Sequence, residues 1–346
     1  MGKQIKKGGY HFMKSKLIKA LLLVLPVVLA LASIGVGRYE VDFIVQMKIL
    51  LSQLFPIEQT WTQVEETVVI NVRLPRILLA MLIGGGLAIA GAAFQGMFAN
   101  PLVSPDILGV SAGAGFGASI GILLFGTGFT MQMFALVMGM VAIGFTFLIG
   151  GVRRDMPIFM LVLAGTVTSA LFQAFISLVK FLADPEEKLP SITYWLMGSL
   201  GTATYQDLWI GGPLILLGII ILYLLRWRLN ILSLSEEEAR SLGISVTKLK
   251  WLVIAGATLI TAAAVSIAGI IGWVGLIIPH IARMIVGSNN QYVLPASISI
   301  GACYLLVIDN LARSLTAAEI PLSILTAIIG APFFAYLLRK TGGGWG

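Results

Sequence analysis

Apolar runs long enough to cross a bilayer recur along the whole chain, each closed by a short polar or charged cluster. A hydrocarbon core about 30 Å thick needs about 20 such residues in a helix. The runs at 20–36, 77–98, one beginning after Asp106, 131–149, 157–182, 208–225, 251–268, 271–286, 292–311 and 321–338 predict ten membrane helices, with 271–286 a short one. The fold class is therefore an all-α polytopic membrane protein. Punctuation agrees with the runs. Pro75 suits an early helical position before the second run, and Pro101 and Pro105 prevent its continuation. Asp106 marks the N-cap region of the third. The first run could serve as a signal peptide with an Ala30-Leu31-Ala32 site, but a chain with many later spans needs no separate export signal, so an uncleaved span is expected.

This pattern divides the chain into an N-terminal tail, 1–16, a single ten-span domain, 17–339, and a short tail, 340–346. The polar excursion 37–71, with Glu40, Asp42, Glu58, Glu65 and Glu66, belongs outside the membrane. Two features interrupt the apolar text. Gly109, Gly113, Gly117 and Gly121 lay a small-residue ridge on one helix face, where another helix can approach closely. Thr166, Ser169 and Gln173 share a stripe on the fifth span; they fit either a pathway wall or interhelical hydrogen bonding.

Residues 226–250 are the long charged passage in the middle of the sequence. Ser235 stands three residues before Glu238, a capping-box spacing. The acidic run 236–238 suits a helix start, and Gly243 its end. The segment reads as a solvated connection or as a docking helix for a soluble partner.

Composition sharpens the picture. Of the residues, 11% are charged and 58% are hydrophobic, with a mean hydropathy of +0.96. Soluble domains are about 25% charged. The formal charge of +7 has a topological origin rather than a nucleic-acid one. With the N-terminus inside, sixteen of the 23 lysines and arginines fall on inner segments and seven on outer ones, so both termini and 226–250 are placed in the cytoplasm. Arg73, Arg76 and Arg313 are outer arginines that oppose this bias. Cys303, the single cysteine, excludes an internal disulfide.

Several chemistries are missing. There is no GxxxxGK[ST] phosphate loop, and His11 and His280 lack metal-ligand spacing. His280, after Pro279, reads as a helix-end hydrogen-bonding residue. Asp309 is the best intramembrane carboxylate, and its distance from Arg313 fits an i, i+4 ion pair. No cofactor and no catalytic residue are expected, and a partner must supply the energy.

Four blocks carry a resemblance: RLPRILLAMLIGGGLAIAGAAFQGMFANPLVSPDILGVSAGAGFG, LGIS in the charged passage, GWVGLIIPHIAR, and DNLARSLTAAEIPLSILTAIIGAPFFAYLL. Together they resemble the FecCD/BtuC-like permeases, membrane subunits of ATP-driven importers for ferric siderophores, haem and cobalamin, over 72–338. The resemblance implies a ten-span type II ABC importer permease in the inner membrane, paired with a second copy or a paralogue. It implies two separate ATPase subunits that hydrolyse ATP, an extracytoplasmic substrate-binding protein, and lipid around the helices. It makes Leu234, Ser235, Glu236, Glu237, Glu238, Ala239, Arg240, Ser241, Leu242 and Gly243 the ATPase-coupling segment. Arg73, Arg76 and Arg313 become a receptor for acidic residues of the binding protein, Asn100 and Leu102 an inner gate. Ferric siderophore is the expected substrate, with haem, cobalamin and small oxyanions as alternatives. A secondary transporter working alone and a scaffold recruiting a cytoplasmic protein are the competing classes, the first disfavoured by the scarcity of mid-span carboxylates.

Overall fold

In the computed structural model, residues 16–150, 158–233, 238–239 and 245–341 are described, and among them every regular element is helical. In chain order these are α1 (Lys16–Ile34), α2 (Phe43–Ser52), α3 (Gln63–Glu66), α4 (Leu74–Phe98), α5 (Val110–Phe125), α6 (Phe129–Gly150), α7 (Ile158–Leu182), α8 (Lys188–Leu196), α9 (Tyr205–Leu225), α10 (Val246–Ala268), α11 (Val274–Val286), α12 (Asn290–Ser314) and α13 (Leu322–Thr341).

Each of the ten expected runs is a helix. Among the described residues, seven helical stretches are long and apolar enough to cross a membrane, whereas α5, α11 and the apolar part of α13 are shorter. Helix α11 has 13 residues. At the rise of an α-helix it is only about 20 Å long, and non-helical backbone, 269–273, precedes it. Non-helical backbone beside such a helix needs partners within the protein, and the neighbouring chain segments supply one another with them. Ser199 N donates to Ala268 O at 2.9 Å, Leu322 N to Gly198 O at 2.9 Å and Ser323 N to Met197 O at 3.2 Å. These bonds tie the chain after α8 to the end of α10 and the start of α13.

The centre of the bundle is α4. Apolar on every side, it packs against α9, α10, α11 and α12 and is almost wholly buried. Its glycines permit this. Gly84 faces the Gly301 backbone of α12, and Gly91 faces the Gly275 backbone of α11, so closely that a methyl at either would overlap a carbonyl oxygen. By contrast α1 lies at the periphery, with Leu17, Leu21 and Leu23 exposed, and is attached to α12 through Asn310 Nδ2 to Ser33 Oγ, 2.7 Å.

Three of the four expected ridge glycines face α6, whereas Gly109 precedes the helix and faces Thr168 of α7. Gly113, Gly117 and Gly121 of α5 lie against Met138, Phe134 and Met131 of α6. Asp106 departs from expectation. It sits in a 3-10 turn, Pro105–Leu108, and accepts from the Ser111 hydroxyl, while Gly109, at φ 81°, is the residue that starts α5. His280 also departs: it lies within α11, which runs on through Pro279 to Val286. A proline inside a helix leaves the carbonyl four residues earlier without its usual donor. Here Gln95 supplies one, its Nε2 donating to Gly275 O at 3.4 Å and to Leu276 O at 3.2 Å.

Candidate functional site: charged clusters at the two helix-end faces

At one end of α4 the helix is entered through a π-helical segment, Thr67–Arg73, continuous with α3. The wider turn precedes Arg76 and ends on Arg73. Both side chains turn inward. Arg76 is 5% exposed and both edges of its guanidinium are occupied. Nε donates to both oxygens of Asp309 at 3.0 Å and Nη2 to Oδ1 at 2.9 Å, while Nη1 and Nη2 donate to Glu319 Oε1 and Oε2 at 2.8 and 2.9 Å. Such charge-assisted forks hold geometry as well as charge.

Arg313 donates from Nη2 to Ser33 O at 2.8 Å and to Asn310 Oδ1 at 2.5 Å. Its Nε stands 3.8 Å from Asp309 and makes no hydrogen bond. The expected i, i+4 pair is therefore the weaker contact of Asp309, whose main partner is Arg76. Arg73 donates to the carbonyls of Ile34, at 2.6 Å, and Tyr39, and its guanidinium covers Gly37.

The three arginines do not stand free for an acidic partner; all are at most 6% exposed and committed within the chain. The reason is stoichiometric as well as steric: two carboxylates, Asp309 and Glu319, and several backbone carbonyls are already within reach. Three guanidiniums against two carboxylates still leave an excess of positive charge. Glu319 is the exposed member, its side chain 27% accessible. Partial burial pushes its carboxyl up, but the Arg76 hydrogen bonds and charge, with Arg38 and Arg313 behind them, outweigh this and hold it below the usual carboxylate range.

At the opposite end of α4, Ala99 adopts a left-handed conformation, φ 47°, and ends the helix. Asn100 Oδ1 then accepts from Leu102 N at 2.9 Å, fixing the turn, and both residues are exposed. The two expected gate residues thus share one loop. Nearby, Arg283 of α11 donates to Gln95 Oε1.

The base of the charged passage is anchored at this face. A 3-10 segment, Arg228–Ser233, follows α9, and Asn230 joins it to the start of α12: its Nδ2 donates to Asn289 Oδ1 and its Oδ1 accepts from Asn290 N, both at 2.9 Å. Of the expected coupling residues, Leu234, Ser235, Glu236, Glu237, Arg240, Ser241, Leu242 and Gly243 lie outside the described residues, as does the expected cap. Glu238 and Ala239 are helical, and Ala239 is buried in a small cluster with Ile231 and Val246.

Thr166, Ser169 and Gln173 lie on α7 on its outward side, Thr166 and Gln173 exposed and Ser169 half-buried. Thr166 donates to Val162 O at 3.0 Å within its own helix. Thr168, one position off the stripe, is instead buried and hydrogen-bonded to Thr146.

Three residues of these sites carried no sequence signal strong enough to single them out: Glu319, Asn230 and Gln95. Glu319, in a loop after a span, and Asn230, in a charged passage, look like ordinary solvated polar positions. Gln95 could have been found by asking what satisfies the carbonyl four residues before Pro279.

Comparison with known proteins places this arrangement. The model of the FecCD transport family matches residues 22–340. The molybdate import system permease protein MolB of Haemophilus influenzae is 44% identical over 319 residues, 92% of this chain and 94% of the relative. A Helicobacter pylori protein named as an iron chelatin transport system permease is 38% identical over 278 residues, 80% of this chain and 83% of its own. A solved structure described as an inward-facing conformation of a metal-chelate type ABC transporter superposes with a TM-score of 0.82 at 43% identity, covering 92% of this chain and 97% of that one.

Proposed function

Because this chain belongs to the FecCD transport family, and is thus the multi-pass permease subunit of an ATP-binding-cassette importer, we propose that it imports a small metal oxyanion of the molybdate type. The observation that carries the substrate reading is the 44% identity to a molybdate permease along nearly the full length of both chains. Ferric siderophore, the substrate expected from the sequence, is the second reading, favoured by the 38% identity to a permease named for iron chelatin.

The permease pairs with a second copy or a paralogue along α7, where Val167 and Leu171 are exposed beside Thr166 and Gln173. A polar stripe within an apolar face that is exposed among the described residues fits a pathway between two subunits. Asn100 and Leu102 narrow its cytoplasmic exit, and 234–243 sits on the ATPase. Hydrolysis takes place on the ATPase subunits, and ATP binding shifts the permease between its two openings because the two conformations bind ATP with different affinity. The membrane is the cytoplasmic one, with both termini inside.

Uptake of labelled molybdate, ferric siderophore, haem and cobalamin, in a strain lacking the gene and in the same strain complemented, tests the substrate. Selective loss of molybdate supports the oxyanion; selective loss of a ferric chelate replaces it with the second reading. In the same assay, leucine at Thr166, Ser169 and Gln173 together, or alanine at Asn100 and Leu102, is expected to change the rate of uptake, and a normal rate would remove the residues concerned from the pathway.

The arginine cluster serves the binding protein by exchange. An acidic side chain of the partner takes the place of Glu319 on Arg76, which is then held by a carboxylate on each edge as before. Glu319→Gln removes the internal competitor, so docking of the binding protein should tighten several-fold at low salt, as measured by surface plasmon resonance on the reconstituted permease. Unchanged docking would mean that Arg76 is not part of the contact.

A further inference from the structure

A groove of about 760 Å³ runs between α1, α4, α9 and α12. Its walls are apolar, among them Leu22, Pro26, Leu82, Ile219, Ile298 and Ala302. At one end it meets Lys19, near the start of α1, and Tyr223 and Arg226, at the end of α9. Lys19 and Arg226 are the charged residues of its lining among those described. The charged end is therefore at helix termini, where lipid headgroups lie, and the apolar length is at the depth of the acyl chains.

Among the described residues, no carboxylate pairs with Lys19 or Arg226. Arg226 gives one N–H to Tyr223 O at 2.7 Å and lies over the Tyr223 ring, 3.9 Å from its centroid. That contact fixes the guanidinium and leaves its other donors available. Lys19 is exposed. Next to them Trp227 is 58% exposed, an interfacial aromatic.

We propose that this groove is a site for one anionic glycerophospholipid, with an acyl chain along the apolar walls and the phosphate between Lys19 and Arg226. Charge decides the class of lipid. Any phospholipid could fill the apolar length, but two cations without a carboxylate at headgroup depth favour a headgroup with net negative charge, since a zwitterionic one brings its own ammonium to the same place. A helix of another protein would cover the walls while leaving both cations unmatched. The site depends on the membrane location of the chain and not on which solute is imported.

The full-length permease in nanodiscs of phosphatidylcholine, titrated with phosphatidylglycerol and read by native mass spectrometry, tests this. The protein is expected to retain one phosphatidylglycerol in preference to phosphatidylcholine. Lys19→Gln should weaken that binding about fivefold, and Lys19→Gln with Arg226→Gln about 25-fold, following the usual contribution of a basic residue near a lipid surface. Lys19→Arg with Arg226→Lys should keep it, and Ala302→Trp should abolish it by filling the groove with both charges in place. Equal retention of the two lipids, undiminished phosphatidylglycerol binding in Lys19→Gln, or a second copy of the chain cross-linked into the groove would each overturn the proposal. Lys19→Gln carries the test if the double variant does not fold, because the Lys19 side chain is exposed near the start of its helix.

Discussion

Replacing Asp309 by alanine is expected to leave little folded protein. Asp309 is fully buried and receives three of the five hydrogen bonds that Arg76 donates to carboxylates, with Arg313 beside it. Its removal leaves two guanidiniums buried around a single, partly exposed glutamate. Breaking a buried pair in this way costs about 3–5 kcal/mol, which is comparable with the whole stability of many domains. Asp309→Asn keeps the shape and one acceptor oxygen and should cost less. The double variant Arg76→Met, Asp309→Leu should recover much of the loss, because it removes the charge together with its counter-charge. Thermal unfolding of the detergent-purified chain, arranged as a double-mutant cycle, measures the coupling. Asp309→Ala melting like the native chain would show that the cluster does not hold these ends of α4 and α12 together.

Gly91→Ala is expected to be the most damaging small substitution in the core. A methyl there would overlap the Gly275 carbonyl oxygen and lie 2.6 Å from both its carbonyl carbon and Cα. These are backbone atoms, so no rotamer change relieves the clash, and α4 and α11 must move apart. Overpacking of this kind typically costs about 1–3 kcal/mol. Here it also disturbs the bonds from Gln95 to the turn freed by Pro279. Uptake should therefore fall further than folded yield. Gly144→Ala is the control: it lies in α6 with nothing within 4 Å of the added methyl. Helix propensity alone should stabilise that variant by about 0.5–1 kcal/mol. Equal behaviour of the two variants in melting and uptake would mean that α4 and α11 are not closely packed.

Much of this architecture was legible in the sequence because a membrane helix announces itself by length. The ten apolar runs correspond to ten helices, and the glycine ridge of α5 found its partner in α6. Short helices outside the main spans were harder to read. Both α2 and α8 lie in segments that read as connections, since a few helical turns interrupted by polar side chains carry no clear period. The start of α4 was also hidden. The π-helical entry extends the helix back from residue 77 to Gln63, past Arg73 and Arg76, and a one-residue expansion of a turn leaves no mark on hydropathy. The candidate sites divide in the same way. Sequence position alone identified Arg73, Arg76 and Arg313 as misplaced charges. It could not show what neutralises them, because Asp309 and Glu319 are more than two hundred positions away from Arg76 along the chain. The stripe on α7 was legible by periodicity, and its exposure by structure.

The central position of α4 sets a timetable for biogenesis. Translation proceeds at about 5–20 residues per second, so α4 is complete roughly tens of seconds before the last turns of α12 emerge. Until then Gly84 has no Gly301 to face and Arg76 has no Asp309. The nascent helix can wait in the bilayer because it is apolar all round, with Arg76 near its end reaching toward the headgroups. The helix at the centre of the finished bundle is thus among the first to be inserted and among the last to find its neighbours, so a chain truncated before α12 would present quality-control proteases with an intact but unpartnered core.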